Sequence, residues 1–323
     1  MTFATPNIRR GQAQTHPRMP GKTRIADAEA EASAPARLSY LQPLWNLGLG
    51  ENVGCVSASG FLAVLKRLGG VPRLALSILV LVWLGTGAFA LAVEGLYSAQ
   101  AQQEFARAQK QYQEKPQDTQ AAWEFARACF DLAEFATNHT ERAELAELGI
   151  AASRQAIASN SNSAPAHYHL GLNLGQLART RSLGALKLVR QMEPEFKRAI
   201  QLDPHFDYAG PNRTLGLLYL DAPTIGSIGD RAKAKTHLHR AVELAPQYPD
   251  NHLCLLEAYL KWNDRGSARR ELKALEEIWS KARAELAGPR WAPSWADWKT
   301  RLQKAKAQLD EGSKALESPR NKD

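Results

Sequence analysis

Pairs of apolar residues recur at nearly regular intervals along the C-terminal part of the chain. The pairs are Phe125-Ala126, Leu170-Gly171, Leu215-Gly216 and Leu255-Leu256. Their offsets are 45, 45 and 40 residues, and each pair lies within a stretch whose apolar positions have helical spacing. In most of them a large residue adjoins a small one, which lets two helices approach closely. This period predicts helical units that stack to share one core.

The predicted partner helices of these units end in similar sequences. One ends in IQLDP and another in VELAP, so Pro204 and Pro246 stand where the helices stop. Ala199 and Ala241 occupy the small position of these second helices. Further prolines stand at or near the starts of first helices, where a missing N–H costs little: Pro165, Pro211 and Pro249.

This combination of features resembles the tetratricopeptide (TPR) repeat. First helices carry Leu-Gly and a later aromatic residue, Tyr219 or Tyr259, and second helices end in A-x-x-L-x-P. The resemblance covers residues 116–287 and implies an all-α fold, a TPR-like right-handed helical solenoid. A generic bundle of amphipathic helices is the alternative.

Two repeats are longer than the usual TPR period of about 34 residues. The extra residues fall within ARTRSLGALKLVRQMEPEF and DAPTIGSIGD. In the second insertion Pro223 ends one helix, and Asp230 is expected to cap the next. Long loops on a rigid scaffold often carry contacts, although a neutral surface insertion is an equal alternative. The candidate contact residues at this loop and near it are Pro211, Asn212, Asp221, Pro223, Ile225 and Asp230.

The C-terminal segment 291–317 predicts one more amphipathic helix, followed by a disordered tail at 318–323. Its apolar face consists of Trp291, Trp295, Trp298, Leu302, Ala305 and Leu309. Because a solenoid needs an end cap, we expect this face to pack on the last repeat. A surface for a second copy or for a partner protein is the alternative.

Residues 74–93 form an apolar segment without a single Asp, Glu, Lys or Arg. As a helix, a segment of this length spans a hydrocarbon core of about 30 Å. The flanking cations Lys66, Arg67 and Arg73 predict a cytoplasmic N-terminus and place the repeats across the membrane. The segment also fits a signal peptide with a cleavage motif at Ala88-Phe89-Ala90, and a buried globular helix is a third alternative.

The predicted organisation before the repeats has three parts. Residues 1–70 are a disordered basic tail, 74–96 are a transmembrane helix or signal peptide, and 97–115 are a connecting helix. The expected location is the bacterial inner membrane with the repeats in the periplasm, or the periplasm itself after cleavage. The net charge of +8 comes mostly from the tail, since residues up to 73 hold nine Lys or Arg and four Asp or Glu. The nearly neutral remainder disfavours nucleic acid as a partner.

No pattern in the sequence indicates catalysis, a cofactor or a metal site. GxSxG, HExxH, phosphate-loop and CxxC motifs are missing from it. His167 and His169 are two residues apart, as are His237 and His239, so each helical pair points to different sides. The cysteines within helical patterns are expected to be buried core residues: Cys129 and Cys254. We therefore expect a protein that is not an enzyme.

The first helices of a TPR stack line a concave groove, and the repeat alignment predicts which residues face it. These residues are Trp123, Arg127, Phe130, Tyr168, Leu172, Arg213, Leu217, Leu220, Leu253 and Glu257. They predict an apolar groove with aromatic walls and two guanidinium groups. Such a groove suits an extended peptide, or an apolar ligand with a carboxylate. Coverage by the C-terminal helix or by the insertions is an equal alternative.

Several motifs resemble the TatT-type family of exported TPR proteins, which associate with TRAP (tripartite ATP-independent periplasmic) transporters. The motifs are GLNLGQLAR, DYAGPNRTLGLLYLDAP, SIGDRAKAKTHLHRAVELAPQYPDN and EAYLKW. The match covers about residues 165–262, and its GP-x-R start is Gly210 to Arg213. The resemblance implies an oligomeric ring with a ligand-accessible pore that docks a transporter substrate-binding component. Family members are often lipoproteins, whereas this chain has no lipobox cysteine near the apolar segment.

Together these interpretations predict a non-catalytic, membrane-anchored and exported TPR adaptor that mediates protein–protein interaction. Its specific form would be a TatT-like component associated with a TRAP transporter. The alternative of the same class is an envelope assembly scaffold. The alternative of another class is a periplasmic component of a solute uptake system that binds an apolar carboxylate.

Overall fold

The computed structural model describes residues 95–317, with side chains up to residue 311, and its regular elements in that range are all helical. Residues 95–114 form helix α1. The following helices are α2 (Thr119–Ala133), α3 (His139–Ser159), α4 (Ala164–Ala178), α5 (Ala185–Leu202), α6 (Phe206–Asp221), α7 (Arg231–Leu244), α8 (Pro249–Lys261), α9 (Arg265–Glu285) and α10 (Ala292–Glu317). A 3₁₀ turn, Pro289–Trp291, precedes α10.

Consecutive helices pack in pairs and form helical hairpins. The pairs are α2 with α3, α4 with α5, α6 with α7, and α8 with α9. The first helices of successive hairpins also contact one another, α2 with α4, α4 with α6, and α6 with α8. This is the stacking of a TPR-like solenoid, so the all-α prediction is confirmed for the described residues.

The helices begin where short polar side chains cap their free N–H groups. Asp118 accepts hydrogen bonds from the backbone at the start of α2, and Ser163 does so for α4. The Asp230 carboxylate accepts from the backbone N–H groups of Ala232 and Lys233, which confirms the predicted cap of α7. Pro165 and Pro249 lie in the first turns of α4 and α8, as expected from their fixed φ.

The Leu-Gly pairs mark places where two helices of one hairpin touch. A Cβ atom at Gly171 would lie 2.4 Å from a ring carbon of Phe196, and one at Gly216 would lie 2.8 Å from Leu238 Cγ. Real side chains do not approach so closely, so glycine is needed for α4 to pack on α5 and for α6 to pack on α7. The small residues identified in the sequence pattern therefore have a direct steric role.

Helix α10 packs on the last hairpin. All six residues of its predicted apolar face are buried: Trp291, Trp295, Trp298, Leu302, Ala305 and Leu309. They share one core with residues of α8 and α9, among them Leu253 and Leu275. The indole of Trp295 donates a hydrogen bond of 2.7 Å to the carbonyl oxygen of Leu286, which satisfies its one polar atom. The apolar face is thus used within the chain.

Cys129 and Cys254 are free and buried, as expected of core cysteines. No helix within residues 95–317 is long and apolar enough to cross a bilayer. The predicted membrane segment 74–93 and the predicted tails 1–70 and 318–323 lie outside the described residues.

Candidate binding site on the first helices

Three aromatic rings from three first helices meet on one side of the solenoid. The indole of Trp123 on α2 stacks on the imidazole of His169 on α4, with ring centres 5.8 Å apart and planes nearly parallel. Phe206, at the start of α6, meets both rings edge-on at 6.3 Å. Trp123 and Phe206 are partly exposed, whereas His169 lies buried beneath them. The repeat stack therefore builds an aromatic surface from residues that are far apart in sequence.

A guanidinium group borders this aromatic surface. Arg127 lies one turn after Trp123 on α2, and its guanidinium carbon is 6.0 Å from the centre of the indole ring. It forms an ion pair with Asp131 at 3.9 Å, a separation at the long end for such a pair. About a fifth of the Arg127 side chain is exposed. We call Trp123, Arg127, Asp131, His169 and Phe206 the basic–aromatic face.

Several polar atoms at this face have no hydrogen-bond partner among the described residues. They are Nε of Arg127, both ring nitrogens of His169, and Oδ1 of Asp207. A buried polar group without a partner usually costs about 1–3 kcal/mol, so proteins rarely leave several of them together. Their grouping at one place is the kind of unsatisfied chemistry that a bound ligand or ordered water completes.

The electrostatics of the face follow from burial. Burial, together with the positive charge of Arg127, lowers the pKa of His169 to about 3, so this imidazole is neutral at pH 7. Burial raises the pKa of Asp131 to about 7, although Arg127 acts in the opposite direction. Burial also raises the pKa of Asp207 to about 6 against the effect of Arg213. The permanent charge at the face is therefore the Arg127 cation, only partly compensated by Asp131.

The backbone that leads into α6 is strained beside this face. Asp207, Tyr208 and Ala209 have φ values of 50°, 53° and 62°, in the left-handed region that non-glycine residues avoid. Such residues cost roughly 1–3 kcal/mol each and persist only where surrounding contacts hold them. Here the Asp207 carboxylate accepts hydrogen bonds from the hydroxyl of Tyr168 and the guanidinium of Arg213, each at 3.3 Å. After this turn, Gly210 and Pro211 restart the right-handed helix.

Arg213 does not face a groove, contrary to the prediction. Its side chain is completely buried and forms ion pairs with Asp250 at 3.1 Å and with Asp207 at 3.3 Å. It also donates a hydrogen bond of 2.9 Å to Asn251 and lies over the ring of Tyr248. Burial alone would lower its pKa, but the facing carboxylates raise it, so Arg213 stays charged. Its role is to hold α6 on α8.

The groove positions on α8 are covered by the C-terminal helix. Arg301 on α10 donates hydrogen bonds of 2.5 Å to Asp250 and 2.8 Å to Glu257. Leu253 is buried in the core that α10 shares with α8 and α9. The chain's own helix therefore occupies this half of the predicted groove, which was the alternative for these positions.

The other predicted groove residues lie in the core. Phe130, Tyr168, Leu172 and Leu217 are buried, and Leu220 packs partly buried between the two main clusters. Of the predicted set, the structure brings Trp123 and Arg127 together on a partly exposed surface. The prediction missed Asp131, His169, Phe206 and Asp207, and their only signal was position: each lies on a first helix or at its start.

The predicted loop contacts fall into two groups. Pro211 and Asn212 are inside α6 and buried, so they are not loop residues, and Asn212 Oδ1 lies 3.1 Å from the ring of His237. Asp221 ends α6 and pairs with Lys261 on α8 at 2.7 Å. The remaining three belong to the 222–230 loop: Pro223, the exposed Ile225 and the capping residue Asp230.

The histidine pairs point to different sides, as predicted. His167 Nδ1 lies 2.6 Å from a carboxylate oxygen of Glu195 on α5, whereas His169 faces Trp123 on α2. His237 contacts Asn212, while His239 Nε2 lies 2.7 Å from the hydroxyl of Tyr259. Within residues 95–317, no group of His, Cys, Asp and Glu side chains is arranged to hold a metal ion.

Part of the chain matches the profile of a known protein family. Residues 91–209 match "Regulator of microtubule dynamics protein 1-3". The matched stretch takes in helices α1 to α5 and the first residues of α6, so it includes all of the basic–aromatic face. The matched stretch is less than half of the chain. Over that stretch, the chain is similar to this family. No curated protein matches the chain significantly.

Solved structures of TPR proteins show a looser likeness. The crystal structure of TTC0263, a TPR protein of Thermus thermophilus, has a TM-score of 0.46 and 23% identity, covering 69% of this chain and 96% of that one. MamA has a TM-score of 0.39 and 18% identity, covering 55% and 87%. Because both scores are low, the hairpin assignment depends on the helix contacts described above. Those contacts give residues 95–317 an all-α, TPR-like repeat fold.

Proposed function

We propose that this protein is a non-catalytic adaptor that binds a segment of a protein partner on its basic–aromatic face. The observation that supports the proposal most directly is the unsatisfied chemistry there: Arg127 is partly exposed beside partly exposed aromatic rings, and its Nε has no hydrogen-bond partner among the described residues. Arginine and tryptophan are the residues on which binding energy concentrates at protein interfaces. The other half of the first-helix surface is covered by α10 and offers no comparable opening.

The chemistry of the face defines the segment it would accept. A carboxylate of the partner would pair with Arg127, whose own partner Asp131 is distant and tends to protonate. An aromatic or aliphatic side chain would pack on Trp123 and Phe206. We therefore expect an extended segment with an acidic residue next to a large apolar one.

The proposal includes anchoring and export of the repeats. The sequence of residues 74–93 supports a membrane helix or signal peptide, and the repeat domain would then work outside the cytoplasm. The motifs shared with the TatT-type family make a transporter substrate-binding component one candidate partner. A reporter fused after residue 95 and read on both sides of the membrane tests this topology, and a cytoplasmic signal would refute it.

The adaptor role can be tested with variants of the face. The full chain is cross-linked in its native envelope. The captured proteins are then compared between the wild type and two single variants, Trp123→Ala and Arg127→Ala. Arg240→Ala is the matched control, because Arg240 is exposed on α7 and pairs only with Glu243 three residues away. We expect a partner captured by wild type and control to be lost with either face variant. Capture that is equal in all four proteins would refute the assignment.

A second function is favoured by the buried and unpaired His169. Its two ring nitrogens lack partners beneath the aromatic edges, which also suits a small apolar molecule whose carboxylate reaches Arg127. Native mass spectrometry of the purified chain separates the two functions. A small molecule that co-purifies with the wild type and is lost with Arg127→Ala supports ligand binding. If no small molecule co-purifies and a protein is captured, the result supports the adaptor.

A further inference from the structure

Two loops at one edge of the solenoid expose large apolar side chains. Residues 179–184 connect α4 to α5, and residues 222–230 connect α6 to α7. Leu183 in the first loop and Ile225 in the second are each 91% exposed, far more than other large apolar residues of the described chain. Leu186, in the first turn of α5, is 37% exposed. In a hairpin stack, the loops joining first to second helices lie at the same edge.

The 222–230 loop is held to α5 by a hydrogen bond and has a defined shape. Arg190, on α5, donates a hydrogen bond of 2.8 Å to the carbonyl oxygen of Gly226. Gly226 has a φ of 76°, which glycine adopts without strain. A Cβ atom at Gly229 would lie 2.0 Å from the carbonyl oxygen of Ala222, so the loop folds back tightly on the end of α6. Ile225 is therefore held outward by a defined loop.

Positive charge surrounds the exposed apolar residues. The stretch from Arg179 to Arg190 contains four Lys or Arg and no Asp or Glu. Arg179 pairs with Glu134 at 3.0 Å, and Arg181 pairs with Glu147 at 3.2 Å, an exposed pair that contributes little. Among the described residues, Lys187 and Arg190 have no carboxylate partner. The edge thus combines outward apolar side chains with uncompensated cations.

We infer that this edge, defined by Leu183, Leu186, Lys187, Arg190 and Ile225, contacts the surface of an anionic bilayer. The apolar tips would enter the boundary between headgroups and acyl chains, while the two cations bind lipid phosphates. A folded protein partner fits less well, because a stable interface buries about 800 Å² on each side and is built around a packed centre. Here single side chains project from separate loops.

The inference concerns a different surface from the basic–aromatic face. It places the hairpin tips against lipid and leaves that face free for a partner. It does not require residues 74–93 to remain as an anchor, since the loops can bind vesicles added from outside. A retained anchor would raise the local concentration of lipid and strengthen the contact.

Fluorescent probes on the loops can test the contact in the full chain. Leu183→Cys and Ile225→Cys are each labelled with an environment-sensitive dye in a Cys55→Ser background. Glu243→Cys is the matched control, because the Glu243 side chain is 62% exposed near the C-terminal end of α7, whose N-terminal end joins the 222–230 loop. Cys129 and Cys254 are buried, and burial raises the pKa of both thiols, so they react slowly. The protein is incorporated into phosphatidylcholine vesicles with or without phosphatidylglycerol.

Quenching by a lipid that carries its quencher near the headgroup gives the readout. We expect dye at residues 183 and 225 to lose at least about half its emission in anionic vesicles, and dye at residue 243 to lose little. Lys187→Gln should reduce the quenching, whereas Lys273→Gln, an exposed lysine on α9, should not. Added salt should reduce it as well, because screening weakens the attraction to phosphates.

Several outcomes would overturn the inference. They are unquenched dye at residues 183 and 225, equal quenching of dye at residue 243, and quenching that does not depend on anionic lipid or on Lys187. Dye that stays unquenched in vesicles but is shielded when envelope extract is added would show a protein partner instead. Vesicle flotation is scored separately, so a failure of residues 74–93 to anchor the chain is not confused with a failure of the loops to touch lipid.

Discussion

The two halves of the first-helix surface have the same repeat geometry but opposite chemistry. Arg213 on α6 and Asp250 on α8 are buried and paired, and Arg301 of α10 packs on Asp250 and covers the pair. On α2 and α4, Arg127 is partly exposed and His169 has no hydrogen-bond partner among the described residues. One half is completed by the chain itself, and the other is left incomplete. A surface formed by the first helices is therefore available for binding only where no other element of the same chain covers it.

Removing the central carboxylate of the covered half should have the largest effect. Asp250 is almost fully buried between Arg213 and Arg301, at 3.1 Å and 2.5 Å. Asp250→Ala would remove the carboxylate shared by the buried Arg213 and the partly buried Arg301, so we expect a loss of roughly 3–5 kcal/mol in the free energy of unfolding. Urea denaturation followed by circular dichroism measures it. Asp310→Ala, at an exposed site on α10, should change stability by less than about 0.5 kcal/mol. A similar small loss for both would mean that the pairing is not central.

Weakening the packing of α10 should expose the part of the first-helix surface that α10 covers. Trp298 is buried in the α8–α9 core and meets the rings of Tyr248 and Trp295 edge-on at 5.4 Å and 4.9 Å. Trp298→Ala should lower the free energy of unfolding by about 3 kcal/mol and expose the side of α8 that α10 covers. Hydrogen exchange should then rise along α8 and α10 while α2 and α4 keep their protection. Uniform loss of protection would show that the halves do not behave separately.

Acid should lower the free energy of unfolding through His169, which lies in the half of the first-helix surface formed by α2 and α4. The folded pKa of this histidine lies below its usual value of 6.5, at about 3, because burial and Arg127 oppose its charge. Its contribution to stability is therefore present above pH 6.5 and is lost as the pH falls toward about 3. Near pH 5 the loss should be about 2 kcal/mol. Asp131 and Asp207 titrate in the opposite sense because their pKa values are raised, and His169→Phe leaves both in place.

The measurement for this prediction is the change in unfolding free energy between pH 7.5 and pH 5 in wild type and variant. His169→Phe should lose less stability than the wild type over this interval. His139→Gln is the control, since His139 is exposed at the start of α3. Equal pH dependence in wild type and His169→Phe would show that the imidazole is not held neutral.

The hairpins could be predicted from the sequence because their determinants are local. Gly171 and Gly216 sit where helices touch, and Asp230 caps the helix it precedes, so pattern and caps were sufficient. The binding surface could not be predicted in the same way, because its chemistry depends on partners far along the chain. The repeat alignment placed both Arg127 and Arg213 on the predicted groove, although at different positions of the repeat. Only Arg213 finds a carboxylate on the next first helix, Asp250, and α10 then seals that contact.

The backbone of the first turn of α6 was also beyond sequence reasoning. Asp207, Tyr208 and Ala209 have no glycine among them, and nothing in their types indicates a left-handed turn. The turn depends on tertiary contacts of the Asp207 carboxylate with Tyr168 and Arg213. Phe206, directly before it, is thereby placed against Trp123 and His169. Local propensity is overridden here by contacts that no short window of sequence contains.

The smallest effect on stability should come from Arg127, and it gives the sharpest contrast with Arg213. Arg127→Ala removes a long, partly exposed ion pair, so the free energy of unfolding should change by less than about 1 kcal/mol. Arg213→Ala removes a fully buried cation that Asp207 and Asp250 share, and should destabilise the chain several times more. Urea denaturation of the two variants side by side measures both. If Arg127→Ala were as destabilising as Arg213→Ala, Arg127 would be a structural residue and the basic–aromatic face would lose its claim to be a binding surface. A small stability change with lost partner capture would instead assign its side chain to binding, because Arg127 would then matter for the partner and little for the fold.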